Sequence, residues 1–157
     1  MGRVVHEDEL IERVLADRAA GRTIAFANGC FDVLHVGHTR YLAGAAAEAD
    51  RVVVAVNDDR SVKGLKGAGR PNLSGADRAE IVAALDGVDY VVTFSDPDVS
   101  RLLNRVKPDV HCKGTDYAVN TVPERQTVLA YGGRIAIVGD PKAHSTRDLL
   151  ARIKRLE

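Results

Sequence analysis

Two histidines three residues apart bracket a glycine in the stretch FANGCFDVLHVGHTRYL, residues 26–42. The chain of 157 residues has five histidines, and two of them, His35 and His38, stand where an apolar run breaks at Asn28-Gly29 and an amphipathic segment begins. Residues three apart in a first helical turn share a face, so both imidazoles can aim at one bound anion. Gly29 lets backbone come close to a ligand. A helix starting near Gly37 offers unpaired amides and a positive dipole end. Imidazole N–H groups suit phosphate oxygens whose charge grows in a transition state. The plainer reading is a pair of capping or surface histidines. The stretch matches neither the P-loop nor the GxGxxG dinucleotide pattern.

These residues need a strand before them and a helix after them, and the rest of the chain supplies a matching framework. Runs at 23–28, 51–57, 90–94, 109–114 and 134–139 are rich in β-forming residues and read as strands covered on both faces. Helical segments alternate with them. One spans roughly 7–20, and Ser74 with Asp77 forms a capping box for another that stops before Gly87. Asp96-Pro97 reads as a cap and first-turn proline. A segment at 123–131 ends at Gly132-Gly133, and Ser145 with Asp148 opens the last helix. This alternation predicts an α/β fold, a Rossmann-like doubly wound sheet of five parallel strands. We expect one domain over 1–157, with an N-terminal helical part (1–21) ahead of the core (22–157). Residues 57–75 form the longest irregular stretch and are expected to be a functional or mobile loop.

Lys plus Arg equal Asp plus Glu at 22 each, so no basic surface is offered to nucleic acid or an anionic membrane. No apolar run approaches a bilayer span and no signal-peptide core is present, so the expected location is cytoplasmic. Cys30 and Cys112 make neither a disulfide framework nor a four-ligand zinc pattern, and no protein metal site is expected. Neither thiol has an acid–base partner at a recognisable spacing.

HVGH following GCFD resembles the HxGH signature of the nucleotidyltransferases, the group that includes cytidylyltransferases and pantetheine-phosphate adenylyltransferase. The segments VAVNDDRSVKGLKGAGRP, DRAEIVAALDGVDYVV, KPDVHCKGTDY and HSTRDLLARI follow in order. Together they resemble the adenylyltransferase domain that activates D-glycero-β-D-manno-heptose 1-phosphate in bacterial heptose biosynthesis, over nearly all of residues 22–155. The resemblance implies that His35 and His38 contact the nucleotide phosphates and that Cys30 and Phe31 lie near the nucleotide. Asp32 keeps the family's FD and is assigned to substrate, against a plain loop cap. Heptose enzymes commonly have arginine before ST, where this chain has His144, with Arg147 following.

Lys63 and Lys66 can close over a triphosphate from the long loop. Arg70 can pair with a phosphate, and Arg78 occupies the place where related cytidylyltransferases hold the substrate phosphate. Lys113, Gly114 and Asp116 are expected to frame nucleotide and sugar hydroxyls. Ser145 and Thr146 are expected to meet the outer phosphates, Ser145 capping its helix at the same time. The implied reaction joins ATP and a sugar 1-phosphate into an ADP-sugar and pyrophosphate, with phosphate-bound Mg²⁺ and a homodimer. The same apparatus would serve a cytidylyltransferase using CTP and glycerol 3-phosphate, or a nucleotide-binding module without catalysis.

Overall fold

The apolar runs become strands whose successive residues enter two different cores. The computed structural model describes residues 1–141 and 143–156. Its strands are β1 (Arg3–Val4), β2 (Ile24–Gly29), β3 (Arg51–Asn57), β4 (Tyr90–Phe94), β5 (Val110–Lys113) and β6 (Arg134–Ile137). They form one parallel sheet in the order β1-β4-β3-β2-β5-β6. The helices are α1 (Glu7–Ala19), α2 (Val36–Ala46), α3 (Asp59–Lys66), α4 (Gly75–Ala83), α5 (Ser100–Val106), α6 (Arg125–Ala130) and α7 (Thr146–Lys154). Ala25, Ala27, Val52, Val54 and Val56 pack with Leu42 of α2 and Val82 of α4. Ile24, Phe26, Val53 and Ala55 pack on the opposite face with Leu10 of α1, Leu102 of α5 and Val128 of α6. Burial on both faces explains why these strands read as unbroken apolar runs.

The doubly wound parallel architecture is as expected, but the sheet has six strands, not five. β1 is two residues long with both side chains exposed, so no apolar run announces it. Backbone contacts hold the segment: Arg3 N–H donates to the Asp89 carbonyl and Val5 N–H to the Val91 carbonyl, both at 2.9 Å. Residues 57–75 are not irregular throughout, because α3 occupies 59–66. Asp58 caps it, its Oδ1 accepting from Ser61 N–H at 2.8 Å. Val62 is its buried residue. Asp96 does not cap α5. It accepts from the Arg101 guanidinium at 2.8 Å, while Asp98 Oδ1 takes the Ser100 N–H at 2.8 Å. The remaining caps follow their spacing: Ser74 Oγ accepts from Asp77 N–H at 3.1 Å and Ser145 Oγ from Asp148 N–H at 3.0 Å.

The strand order reverses between β2 and β5, and there the sheet opens. β2 pairs with β3 over its whole length, from Ile24 to Gly29, but with β5 only at Ala25 and Phe26. Past Phe26 the two strands part. Tyr41 of α2 fills the gap: its hydroxyl donates to the Cys112 carbonyl at 2.7 Å and accepts from Asn28 N–H at 3.3 Å. Backbone groups that lose their ladder partners are thus satisfied by one side chain. Ligands of open α/β sheets bind at such a switch point, outside the carboxyl ends of the strands.

Candidate active site

The turn from β2 into α2 is held in a conformation that its residues would not choose alone. Phe31 (φ 50°) and Val33 (φ 55°) both lie in the left-handed region, at a cost of about 1–3 kcal/mol each. Asp32 between them is buried and anchors the turn. Its carboxylate accepts from Arg70 Nε at 2.8 Å, Asn72 N–H at 2.9 Å, Asn72 Nδ2 at 3.0 Å and Leu73 N–H at 3.1 Å. Burial opposes the ionised form, but these donors outweigh it and hold the carboxyl below its ordinary range. Arg78 is 0% exposed. It donates to the carbonyls of Cys30 (2.6 Å), Asn57 (2.7 Å) and Leu73 (3.1 Å) and to Asp59 Oδ1 at 2.8 Å. Asp32, Arg70 and Arg78, expected from the sequence to contact substrate, all make bonds that support this turn. The Asp32 carboxylate, Arg70 Nε and the Arg78 guanidinium tie the turn to β3, α3 and the segment before α4.

His35 is the N-cap of α2, and the two imidazoles cap it reciprocally. His35 Nδ1 accepts from Gly37 N–H at 3.1 Å, and His38 Nδ1 accepts from His35 N–H at 3.2 Å. An Nδ1 that accepts leaves the ring proton on Nε2, so both rings present an Nε2–H donor. Their centroids are 4.0 Å apart, and the Phe31 ring lies 5.6 Å from that of His38. Burial, then the neighbouring His35 and Lys66, push the His38 pKa down to about 4. His38 is therefore neutral at physiological pH, a donor that costs no charge repulsion with the helix end. Gly37 is required by this arrangement, since a methyl group there would sit 2.8 Å from His35 Cε1. The capping role and the ligand role, alternatives in the sequence, are compatible because they use different ring nitrogens.

The two loop lysines lie in the last turn of α3, both exposed. Lys66 is the one whose charge bears on His38 and on Cys30. At the exposed C-terminal end of α3, Gly67 (φ 92°) and Gly69 (φ 82°) lead to the segment anchored on Asp32. The Cys30 thiol is raised by burial, and that of Cys112 is raised to about 12, so both stay protonated and neither is a nucleophile. The α7 N-terminus is docked on the same turn: Thr146 Oγ1 donates to the carbonyls of Asp32 (2.9 Å) and Val33 (3.2 Å). That hydroxyl proton is committed to the backbone, so Thr146 can offer an outer phosphate its amide but not its side-chain hydrogen.

On the β5 side of the crevice, Lys113 is buried, which lowers its pKa, while Glu124 opposes that. Its Nζ lies 3.5 Å from Asn28 Oδ1 and 4.8 Å from the Tyr117 ring centroid. Glu124 is also buried and receives His111 Nε2 at 3.4 Å. Gly114 has open space where a side chain would go, and Asp116 is exposed in the following turn. Asn28, Tyr41 and Glu124 were not picked out from the sequence. Asn28 alone gave a signal, as an amide ending an apolar strand.

A family model described as cytidylyltransferase-like matches residues 26–150. The chain belongs to that family. It is 45% identical over 148 residues to the bifunctional protein HldE of Pseudomonas paraeruginosa, covering 94% of this chain and 31% of the relative. It is 43% identical over 151 residues to the bifunctional protein HldE of Ectopseudomonas mendocina, covering 96% and 32%. The chain thus spans about a third of the length of the curated relatives it matches. Among solved structures, the lipopolysaccharide core biosynthesis protein of Thermoplasma volcanium superposes with a TM-score of 0.67 at 24% identity, over 78% of this chain and 100% of that one. At that identity the likeness establishes the fold. The family match spans both helix N-termini of the crevice, α2 and α7, together with the α3 lysines. No helix among the described residues is long and apolar enough to cross a membrane.

Proposed function

We propose that this cytidylyltransferase-like chain is an adenylyltransferase joining ATP to D-glycero-β-D-manno-heptose 1-phosphate, or a similar sugar 1-phosphate, with release of pyrophosphate. The observation carrying this reading is the reciprocal cap of His35 and His38, which engages both Nδ1 atoms and so places the ring proton of each on Nε2 at the switch point. The motif series from GCFDVLHVGH to HSTRDLLARI and the likeness to HldE along 94% of the chain support the substrate class.

In this reaction an oxygen of the sugar phosphate attacks the α-phosphorus of ATP. The bond from that phosphorus to the oxygen bridging to the β-phosphorus breaks, and pyrophosphate leaves. Such transfer needs positioning and charge stabilisation more than covalent catalysis. His35 and His38 donate to the non-bridging oxygens as their charge grows. Lys66 supplies a cation from α3, and the amides of α2 and α7 face the phosphates. No group of three or more His, Cys, Asp or Glu among the described residues can hold a metal. Mg²⁺ is accordingly expected to enter with ATP, bound by phosphate and water.

The test is a pyrophosphate-release assay of ATP and CTP against heptose 1-phosphate, other sugar 1-phosphates and glycerol 3-phosphate. We expect release with ATP and a sugar 1-phosphate, and a loss on the order of a hundredfold in kcat for His38→Ala. Release with CTP and glycerol 3-phosphate alone would replace this reading with the cytidylyl one. ATP binding without release from any pair would favour a binding module.

A further inference from the structure

The β5 side of the crevice carries a polar column that the chemistry of His35 and His38 does not use. Phe26 of β2 and His111 of β5 are register partners, and their rings lie 5.8 Å apart in the core. Two residues further along each strand, on the same face, Asn28 and Lys113 stand where the strands part, with Lys113 Nζ 3.5 Å from Asn28 Oδ1. Glu124 joins the column from the start of α6. Its carbonyl accepts from Val128 N–H at 3.0 Å, and the Val128 side chain is in the core, so the residue is fixed. All three ionisable groups are withdrawn from water: His111 is 0% exposed, Glu124 6% and Lys113 8%. A buried carboxylate and a buried ammonium are costly unless each compensates the other. An ionised carboxylate only accepts, so the 3.4 Å contact between His111 and Glu124 uses a proton on His111 Nε2.

From this arrangement we infer that Glu124 is a positioning residue, which holds Lys113 as a cation at the crevice mouth for the nucleotide. The inference rests on the nucleotidyl-transfer reading for the identity of that ligand. Lys113 is placed by Asn28 Oδ1 and by the Tyr117 ring, whose centroid lies 4.8 Å from Nζ, while Gly114 beside it leaves open space. An ammonium has three protons, so donors remain for a ligand oxygen. The titratable groups around the pair are His111 on β5, Tyr41 on α2 and Tyr117 in the turn after β5. Burial lowers the His111 pKa against the pull of Glu124, and burial raises that of the Tyr41 phenol, so both are neutral at neutral pH. Glu124 and Lys113 therefore carry the charges of the column. Burial works against the Glu124 carboxylate, but the His111 bond and then Lys113 hold it below its ordinary range. Burial likewise favours the neutral amine of Lys113, and Glu124 is the group opposing it. Without that carboxylate, the buried ammonium would shed its proton more readily.

The experiment is a carbon NMR titration of the lysine side chains, with calorimetry of ATP over the same pH range, for wild type, Glu124→Gln and Glu124→Asp. Lys113→Met assigns the Lys113 signal. We expect the Lys113 midpoint to fall in Glu124→Gln and to return towards the wild-type value in Glu124→Asp. ATP affinity should then decline earlier with rising pH in Glu124→Gln. Between the two midpoints it should be about tenfold weaker than in wild type, the loss of one hydrogen bond to a charged group. A Lys113 midpoint unmoved in Glu124→Gln overturns the inference. So does a moved midpoint with an ATP profile like that of wild type. Should Glu124→Gln fail to fold, the reciprocal measurement decides: Lys113→Met must raise the Glu124 carboxyl midpoint, and an unmoved value overturns the inference. Pyrophosphate release by the wild type is measured separately. Its absence would remove the proposed reaction and leave these titration and binding results standing.

Discussion

His38 takes the backbone N–H of His35 on its Nδ1 at 3.2 Å, and that contact decides which nitrogen of His38 carries the ring proton. The same imidazole caps the helix with one atom and offers a proton with the other. Burial and the positive charge of Lys66 keep the ring neutral down to about pH 4. A bound triphosphate brings negative charge and must raise this value. Histidine-selective NMR titration of the ligand-free protein should give a His38 midpoint near pH 4, moving up when ATP is added. By linkage, ATP should bind more tightly as pH falls between the two midpoints. A ligand-free midpoint near 6.5, the ordinary value for histidine, would remove the basis of the assigned tautomer.

Lys63 and Lys66 sit on the same turn of α3, yet Lys66 is the one acting electrostatically on His38 and Cys30. Lys66→Ala should therefore lower kcat/KM for nucleotidyl transfer on the order of a hundredfold. Lys63→Ala should change it by about twofold, as for a surface substitution. Steady-state kinetics of the two variants side by side decides the point, and equal losses would mean that both reach the phosphates.

Arg78 joins the ends of two strands and the starts of two helices from a fully buried position. Arg78→Ala leaves the Cys30 and Asn57 carbonyls without their donor. It should cost about 3 kcal/mol of stability or more, since an acceptor left unsatisfied costs about 1–3 kcal/mol, while Asp59 stays open to water. Chemical denaturation measures this directly. A variant of unchanged stability but lost substrate affinity would return Arg78 to the substrate-binding role read from the sequence.

Asp32 has a folded pKa below its unfolded value, so its contribution to stability is complete above the unfolded value, near 3.8. It is lost as pH falls through the lower folded value. Melting temperatures of wild type and Asp32→Asn should differ most at neutral pH and converge as pH falls below 3.8 and through the lower folded value. A gap that stayed constant on acidification would contradict the ionised, hydrogen-bonded state described here.

The long elements were legible because their signals are local. Val52 to Val56 read as a buried strand, and Ser74 and Ser145 announced helix starts by residue type and spacing alone. β1 escaped because two exposed residues joined by backbone bonds carry no pattern. α3 was hidden among glycines and charges, held by a cap at Asp58 and one buried valine. Asp96 misled because its better partner, the Arg101 guanidinium, lies one turn into the helix it was meant to start.

The residue types and spacing were enough to determine a parallel α/β sheet, a helix beginning at the histidine pair and the phosphate chemistry expected there. Periodicity, capping and imidazole protonation are properties of short segments. Only the tertiary structure decided which charged groups hold the frame. Arg78 and Asp32 resemble binding residues in sequence, yet each finds partners 19 to 48 positions away that satisfy it internally. His144 comes beside His35 from 109 positions away because Thr146 docks on the turn before α2. Long-range hydrogen bonds set these placements, and no local pattern encodes them.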